Sequence, residues 1–222
     1  MKSAPRDEGA PAAERPFTRM VSWSHRLLAD VLSPGDLALD LTAGTGRDAL
    51  FLFHRLGPRG RILAFDIQRE ALLRTESLLA RAGARVFFRS PSAPRALFSP
   101  GVHLIHDSHS EISSYLAESP RGIVANLGFL PGGDPQVRTR TESTLEALKQ
   151  SLGLLAPGGR MAVTVYTGHP GGTEEGVAVE ALFGHLPSHD WQVLKLQPPN
   201  RREAPFLVVA EKRRGPKTSL SG

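Results

Sequence analysis

The chain has 222 residues, enough for one domain with its own core, and contains no cysteine, which excludes disulfides, thiolate metal sites and cysteine nucleophiles. Lysine and arginine number 27 against 22 acidic residues, and the net charge of +5 admits a polyanionic partner such as RNA. No apolar run approaches the ~20 residues needed to span a bilayer, and a cysteine-free chain suits the reducing cytoplasm.

Residues 1–16 lack an apolar signal core and read as a disordered leader, and 214–222 read as a basic flexible tail. Between them, residues 17–213 form a single domain in which short apolar runs alternate with amphipathic stretches, the pattern of a parallel sheet flanked by helices. A leading helix spans 17–32, with Val21, Leu27, Leu28, Val31 and Leu32 on one stripe. "DLALDLTA" is the first strand, 47–56 a helix, "RILAFDI" the second strand and 69–82 another helix. Residues 84–100 contain a short strand-like run and three prolines and read as an irregular insertion. "VHLIHDS" is the third strand, followed by a short helix near 110–118, and "GIVANLGF" is the fourth. Helix 141–155 carries Leu145, Leu148, Leu152 and Leu155 on one face and stops at Pro157-Gly158-Gly159. "MAVTVYT" is the fifth strand and 173–186 a further helix. "WQVLKLQ" and "FLVVAEK", separated by a short Pro/Asn/Arg loop, predict an antiparallel hairpin.

The most informative stretch is "LALDLTAGTGRDAL", in which Gly44, Gly46 and Ala49 satisfy the G-x-G-x-x-G/A fingerprint of a nucleotide-binding turn. Asp66, at the end of the second strand, has the position of a carboxylate that accepts from both ribose hydroxyls. These features alone leave NAD and S-adenosylmethionine open. Asp40 separates them, because a carboxylate four positions before the glycines repels a pyrophosphate and neutralises a cationic amino-acid moiety.

Five segments in order, "DLTAGTGRDALFL", "FDIQ", "LIHDSHSEI", "NLGFLPGGD" and "VYTGHPGG", resemble the family long labelled putative rRNA methylases, whose characterised members are tRNA wobble-uridine methyltransferases of the MnmM/YtqB type. The resemblance runs from about residue 17 to 212. It implies an α/β class I methyltransferase Rossmann-like fold, a seven-stranded mostly parallel sheet with helices on both faces and an antiparallel C-terminal hairpin. It also implies S-adenosylmethionine as donor and, as acceptor, the amine of 5-aminomethyl-(2-thio)uridine at position 34 of the tRNA anticodon. Methylation of ribosomal RNA or of a small amine stays open, as does an inactive cofactor-binding RNA module. So does the oligomeric state, a homodimer included. In the family the third strand follows its helix closely, so the insertion at 84–100 is a departure on the substrate side.

Carried over by motif, Asp40, Ala43, Gly44, Gly46 and Asp48 line the methionine end of the cofactor, Asp66 and Gln68 meet the ribose, and Asp107 and Ser108 reach the adenine edge. Asn126, with Leu127 and Gly128, faces the transferred methyl, and its carbonyl oxygen can accept an amine N–H and aim the lone pair. Phe129 is placed to lie against a base, and Arg138 and Arg140 to pair with phosphates. Three histidines compete for the base role: His106 within its strand, His109, and His169, which is favoured beside Tyr166 and the Gly171-Gly172 turn. No metal is expected at these three histidines, since they show no paired ligand spacing such as His-x-x-x-His with a carboxylate.

Overall fold

The computed structural model describes residues 17–89, 98–128, 139–201 and 204–214. Phe129 and Arg138, and the whole of "LPGGDPQV", therefore lie outside the described residues, as do the two tails predicted at 1–16 and, from 215 on, at the C-terminus.

Eight strands form one sheet: β1 (Leu37–Asp40), β2 (Arg61–Asp66), β3 (Val86–Arg89), β4 (Gly101–His106), β5 (Gly122–Leu127), β6 (Arg160–Val165), β7 (Trp191–Leu196) and β8 (Phe206–Lys212). Their order is β3-β4-β2-β1-β5-β6-β8-β7. All neighbours pair in parallel except β8, which runs antiparallel to both β6 and β7, so the terminal hairpin inserts its second strand beside β6.

Helices α1 (Met20–Ala29), α2 (Arg47–Leu56), α3 (Arg69–Arg81), α4 (Ile112–Tyr115), α5 (Thr141–Leu154) and α6 (Gly172–Gly184) connect the strands. Strand side chains alternate between faces, and each face builds its own core. Ala38, Ile62, Ala64 and Val124 pack against Leu28 of α1, Leu52 and Leu56 of α2 and Leu72 and Leu79 of α3. Leu39, Phe65, Ile123 and Val163 pack against Leu148 and Leu152 of α5 and Val179 and Phe183 of α6. The 3.6-residue period explains α3, whose Ala71, Leu72, Thr75 and Leu79 are buried while Arg74 between them faces water. In α1 the buried residues are Met20, Ser24 and Leu28, which leaves Val21 for the wall of a cavity.

The sheet departs from the seven strands expected. Residues 86–89 of the insertion pair in parallel with β4, from Val86 opposite Val102 to Arg89 opposite Ile105, and form an eighth strand at the edge. The prolines that suggested irregular chain all follow this strand. What holds it is a buried ring cluster: Phe87 stacks on His103 of β4 at 4.8 Å, and Phe98 meets the same imidazole at 4.7 Å. His103 is fully buried, accepts from Arg89 Nε at Nδ1 and donates from Nε2 to the Ser99 carbonyl, and burial pushes its pKa down.

Candidate active site

Register brings the site together. Asp40 is level with Ala64 on β2 and Val124 on β5, so Asp66 and Asn126 stand two residues higher, on either side of Thr42 where β1 has already turned. The carboxyl ends of these central strands open into a cavity of about 530 Å³. That size lies in the roughly 300–1,000 Å³ range of small-molecule sites. Its wall takes in the glycine loop, the ends of β2, β4 and β5, the start of α5 and, from α1, Val21.

The loop after β1 is shaped by its glycines. Gly44 has φ +53° and donates its N–H to Asp66 Oδ2, while Gly46, at φ +79°, accepts the left-handed conformation that starts α2. A Cβ on Gly46 would stand 2.9 Å from the Cα of Thr75, so this glycine serves the close approach of α3 to the loop. Asp66 also accepts from Gln68 N–H at Oδ1. Burial raises its pKa, opposed by these two N–H groups and by His106.

Asp40 does not reach the cavity. It shares the sheet face of Ala38, beneath α2, and is fully buried. Its Oδ1 accepts from Thr42 N–H while Oδ2 has no hydrogen-bond partner among the described residues. Its pKa is held well above the carboxylate range, first by burial and then by the neighbouring Asp48. Asp48, in the first turn of α2, is the member of this pair that lines the cavity. One of its oxygens lies 2.5 Å from His25 Nε2 of α1, and the other accepts a short hydrogen bond from Asn126 Nδ2. Asn126 is further fixed by its backbone N–H, which donates to Thr42 Oγ1 at 2.8 Å. Its Oδ1 is buried with no partner among the described residues.

Of the other expected residues, Ala43, Gly44, Gln68, Asp107 and Ser108 line the cavity. Asp107 is held by Ser108 N–H and by the Tyr115 hydroxyl at 2.7 Å, which with burial drives the Tyr115 pKa far upward. The histidines separate clearly. His106 is exposed and bonded to the Ile67 carbonyl, and His169 stands off the wall with Nδ1 near the Pro170 carbonyl. His109 lines the cavity, and its hydrogen bond to the Leu41 backbone brings it over the end of β1. Its Nε2 is buried without a hydrogen-bond partner among the described residues, and burial lowers its pKa. Tyr166 is half-exposed on the wall, its pKa raised by burial and by Asp48. Arg140 also lines the cavity, joined by Arg19 and Arg47.

Sequence reasoning missed His25, Arg19 and Glu175. His25 and Arg19 belong to a leading helix read only for its apolar stripe. Glu175 of α6 is buried and accepts from Thr139 Oγ1 at 2.8 Å and Thr144 Oγ1 at 2.6 Å, while Thr139 bonds both the N–H and C=O of Gly128. No local motif marks such a long-range anchor.

Strand order, the inserted antiparallel strand and a cavity at the carboxyl ends of the central strands define the class I methyltransferase fold. The family model "Putative rRNA methylase" matches residues 62–212, and the chain belongs to that family. It is 36% identical over 198 residues, 86% of this chain and 68% of the relative, to the chloroplastic tRNA (mnm(5)s(2)U34)-methyltransferase of Arabidopsis thaliana. A Clostridium thermocellum protein described as a putative rRNA-methylase superposes with a TM-score of 0.79 at 30% identity, covering 89% of this chain and all of its own. A Streptococcus mutans protein described as a putative methyltransferase, solved in complex with SAH, gives 0.74 at 34% identity over 87% of this chain and 98% of its own.

Proposed function

We propose that the cavity binds S-adenosylmethionine and that the enzyme methylates the amine of 5-aminomethyl-(2-thio)uridine at the tRNA wobble position. The observation that carries this reading is Asn126: a carboxamide at the end of β5, on the cavity wall, whose Nδ2 is committed to Asp48 and whose Oδ1 is not committed. Asp48, Asp66 and Asp107 share the cavity wall with Arg19, Arg47 and Arg140, a mixed lining that suits a ligand bearing ammonium, sulfonium and carboxylate charges. When bound, the cofactor supplies an electrophilic methyl group on a sulfonium.

The protein's part is alignment and proton handling. Asn126 Oδ1 accepts one N–H of the incoming amine and turns the lone pair toward the methyl position. An alkylamine with a reference pKa of about 10.4 arrives largely protonated. His109, on the cavity wall, is the imidazole placed to take that proton. Asp48 and Asp66 meet the amino and ribose groups, and Asp107 and Ser108 the adenine edge. Arg140 and Arg19, on the cavity wall, contact the RNA backbone. The likeness to a tRNA wobble methyltransferase supports this acceptor, and the family description makes ribosomal RNA the second reading.

Nucleoside mass spectrometry of a deletion strain separates the two. Accumulated 5-aminomethyl uridines in tRNA are the expected result, and an unchanged tRNA profile with a methyl lost from ribosomal RNA would sink the tRNA assignment. Asn126→Ala should lower turnover about 10- to 100-fold while S-adenosylhomocysteine binding holds, the scale of one hydrogen bond to a reacting group.

A further inference from the structure

The Asn126 carboxamide has two chemically opposite ends, and only one of them suits an amine. With Oδ1 toward the acceptor it receives an N–H, whereas with Nδ2 there it presents donors to a donor and turns the lone pair away. Something must hold the amide in one orientation, and Asp48 does so: a carboxylate accepts only, so the group facing it is Nδ2. Asp48 is itself held from the other side by His25. The 2.5 Å contact runs from Nε2 to Oδ1, and because the carboxylate is the acceptor, Nε2 carries the hydrogen. His25 is fixed in turn by stacking on Phe51 of α2, with ring centroids 4.1 Å apart and planes 4° from parallel. His25 is absent from the cavity wall, so it acts through its neighbours.

We infer that His25 is a positioning residue: the chain His25–Asp48–Asn126, anchored on α1, fixes the orientation of the carboxamide and thereby selects an amine as methyl acceptor. This rests on the reading that Asn126 orients the amine. A carboxylate with one oxygen unclaimed swings about its χ angles, whereas one bound at both oxygens presents a fixed acceptor to Asn126. The first helix, outside the glycine-loop fingerprint, thus becomes part of the catalytic apparatus.

Two substitutions isolate the hydrogen bond from the packing. His25→Phe keeps a ring against Phe51 and removes the donor, while His25→Gln restores an N–H at similar reach. With full-length protein and tRNA carrying the unmethylated aminomethyl group, His25→Phe should lower kcat about 10- to 100-fold, the range of a lost hydrogen bond to a charged group. KM for tRNA and affinity for S-adenosylhomocysteine should stay within about twofold, and His25→Gln should recover most of the loss.

A spectroscopic arm reads the orientation directly. Asparagine occurs only at positions 126 and 200, so selective ¹⁵N-asparagine labelling gives two side-chain amide pairs, assigned by Asn126→Ala. The Asn126 pair should shift and exchange faster in His25→Phe and return in His25→Gln, in any variant that retains the parent circular dichroism. Full activity in Asn126→Ala would refute the acceptor reading and this role with it. An inactive Asn126→Ala beside a fully active His25→Phe would overturn the inference alone. Equal losses in His25→Phe and His25→Gln, or an Asn126 pair unmoved in His25→Phe, would overturn it as well.

Discussion

Replacing Gly46 with alanine tests whether the glycine loop is held by α3 as the geometry requires. Two separate penalties follow from the structure. Gly46 has φ +79°, where an L side chain is disfavoured by about 1–2 kcal/mol. The added Cβ would lie 2.9 Å from Thr75 Cα, 3.0 Å from its Oγ1 and 3.1 Å from its Cβ. Thr75 is fully buried in the middle of α3, so the helix backbone itself must move. Overpacking of this kind costs about 1–3 kcal/mol, giving about 2–5 kcal/mol in all. Set against the 5–15 kcal/mol typical of a domain, the variant should still fold.

Urea titration followed by circular dichroism should show a midpoint lowered by about 0.7–2.5 M, for a urea slope of about 2–3 kcal/mol/M. Calorimetry should show S-adenosylhomocysteine affinity reduced about tenfold, because Ala43, Gly44 and Thr45 line the cavity and move with the displaced turn. Thr75→Ala in the same background is the internal control. It removes Oγ1 but leaves Cα and Cβ, so it should restore less than half of the lost stability. A midpoint within about 0.3 M of the parent, or full rescue by Thr75→Ala, would refute the claim that a backbone contact demands this glycine.

Other consequences are open to test. Asp40 has a folded pKa raised above its ordinary 3.8, so the native state holds its proton longer than the unfolded chain, and stability falls as pH rises through that interval. Asp40→Asn, which can keep the Thr42 hydrogen bond, should match the parent below pH 3.8 and exceed it in melting temperature toward neutral pH; equal pH profiles for the two proteins would contradict this. Glu175→Ala strands the Thr144 hydroxyl, at about 1–3 kcal/mol, and removes one anchor of Thr139, which keeps its bonds to Gly128; it should lower the melting temperature and loosen the chain near Gly128 to proteolysis. Arg19→Ala with Arg140→Ala should lower the slope of log K against log salt for tRNA by about 1.4, at roughly 0.7 per phosphate contact on single-stranded RNA, with S-adenosylhomocysteine affinity unchanged.

Most of the sheet was legible because parallel strands buried on both faces leave continuous apolar runs, and because the helices between them keep a 3.6-residue period. Helix 47–56 matches its expected limits, and α3 ends one residue short of its expected end. The eighth strand was read as a strand-like run within an irregular insertion because four residues followed by prolines carry little periodic signal, and the Phe87–His103–Phe98 cluster that holds it to β4 is assembled from separated residues. Within the site, residues next to the glycine fingerprint were legible as lining because short spacing fixes their neighbourhood. Asp40 was misplaced for a reason of parity: a strand residue two positions on from Ala38 shares its face, and that face is covered by α2. His25 and Glu175 were illegible, since each meets its partner across 23 or more residues and only the packing of helices on the sheet supplies the encounter.

The arrangement of acids around the loop gives this parity a chemical consequence. Burial first, and then the neighbouring Asp48, hold the pKa of Asp40 above its ordinary value, and the two acids sit in different environments. The buried one tends to keep its proton and shapes the turn through Thr42, whereas Asp48 on the wall has hydrogen-bond donors at both oxygens, His25 and Asn126. A carboxylate so bound is still an acceptor, because each oxygen offers a second lone pair. Asp48 is therefore able to face a ligand ammonium while it holds the carboxamide that faces the acceptor. One side chain joins cofactor binding to the orientation of the nucleophile, and a substitution at Asp48 must move both together, where one at His25 moves only the second.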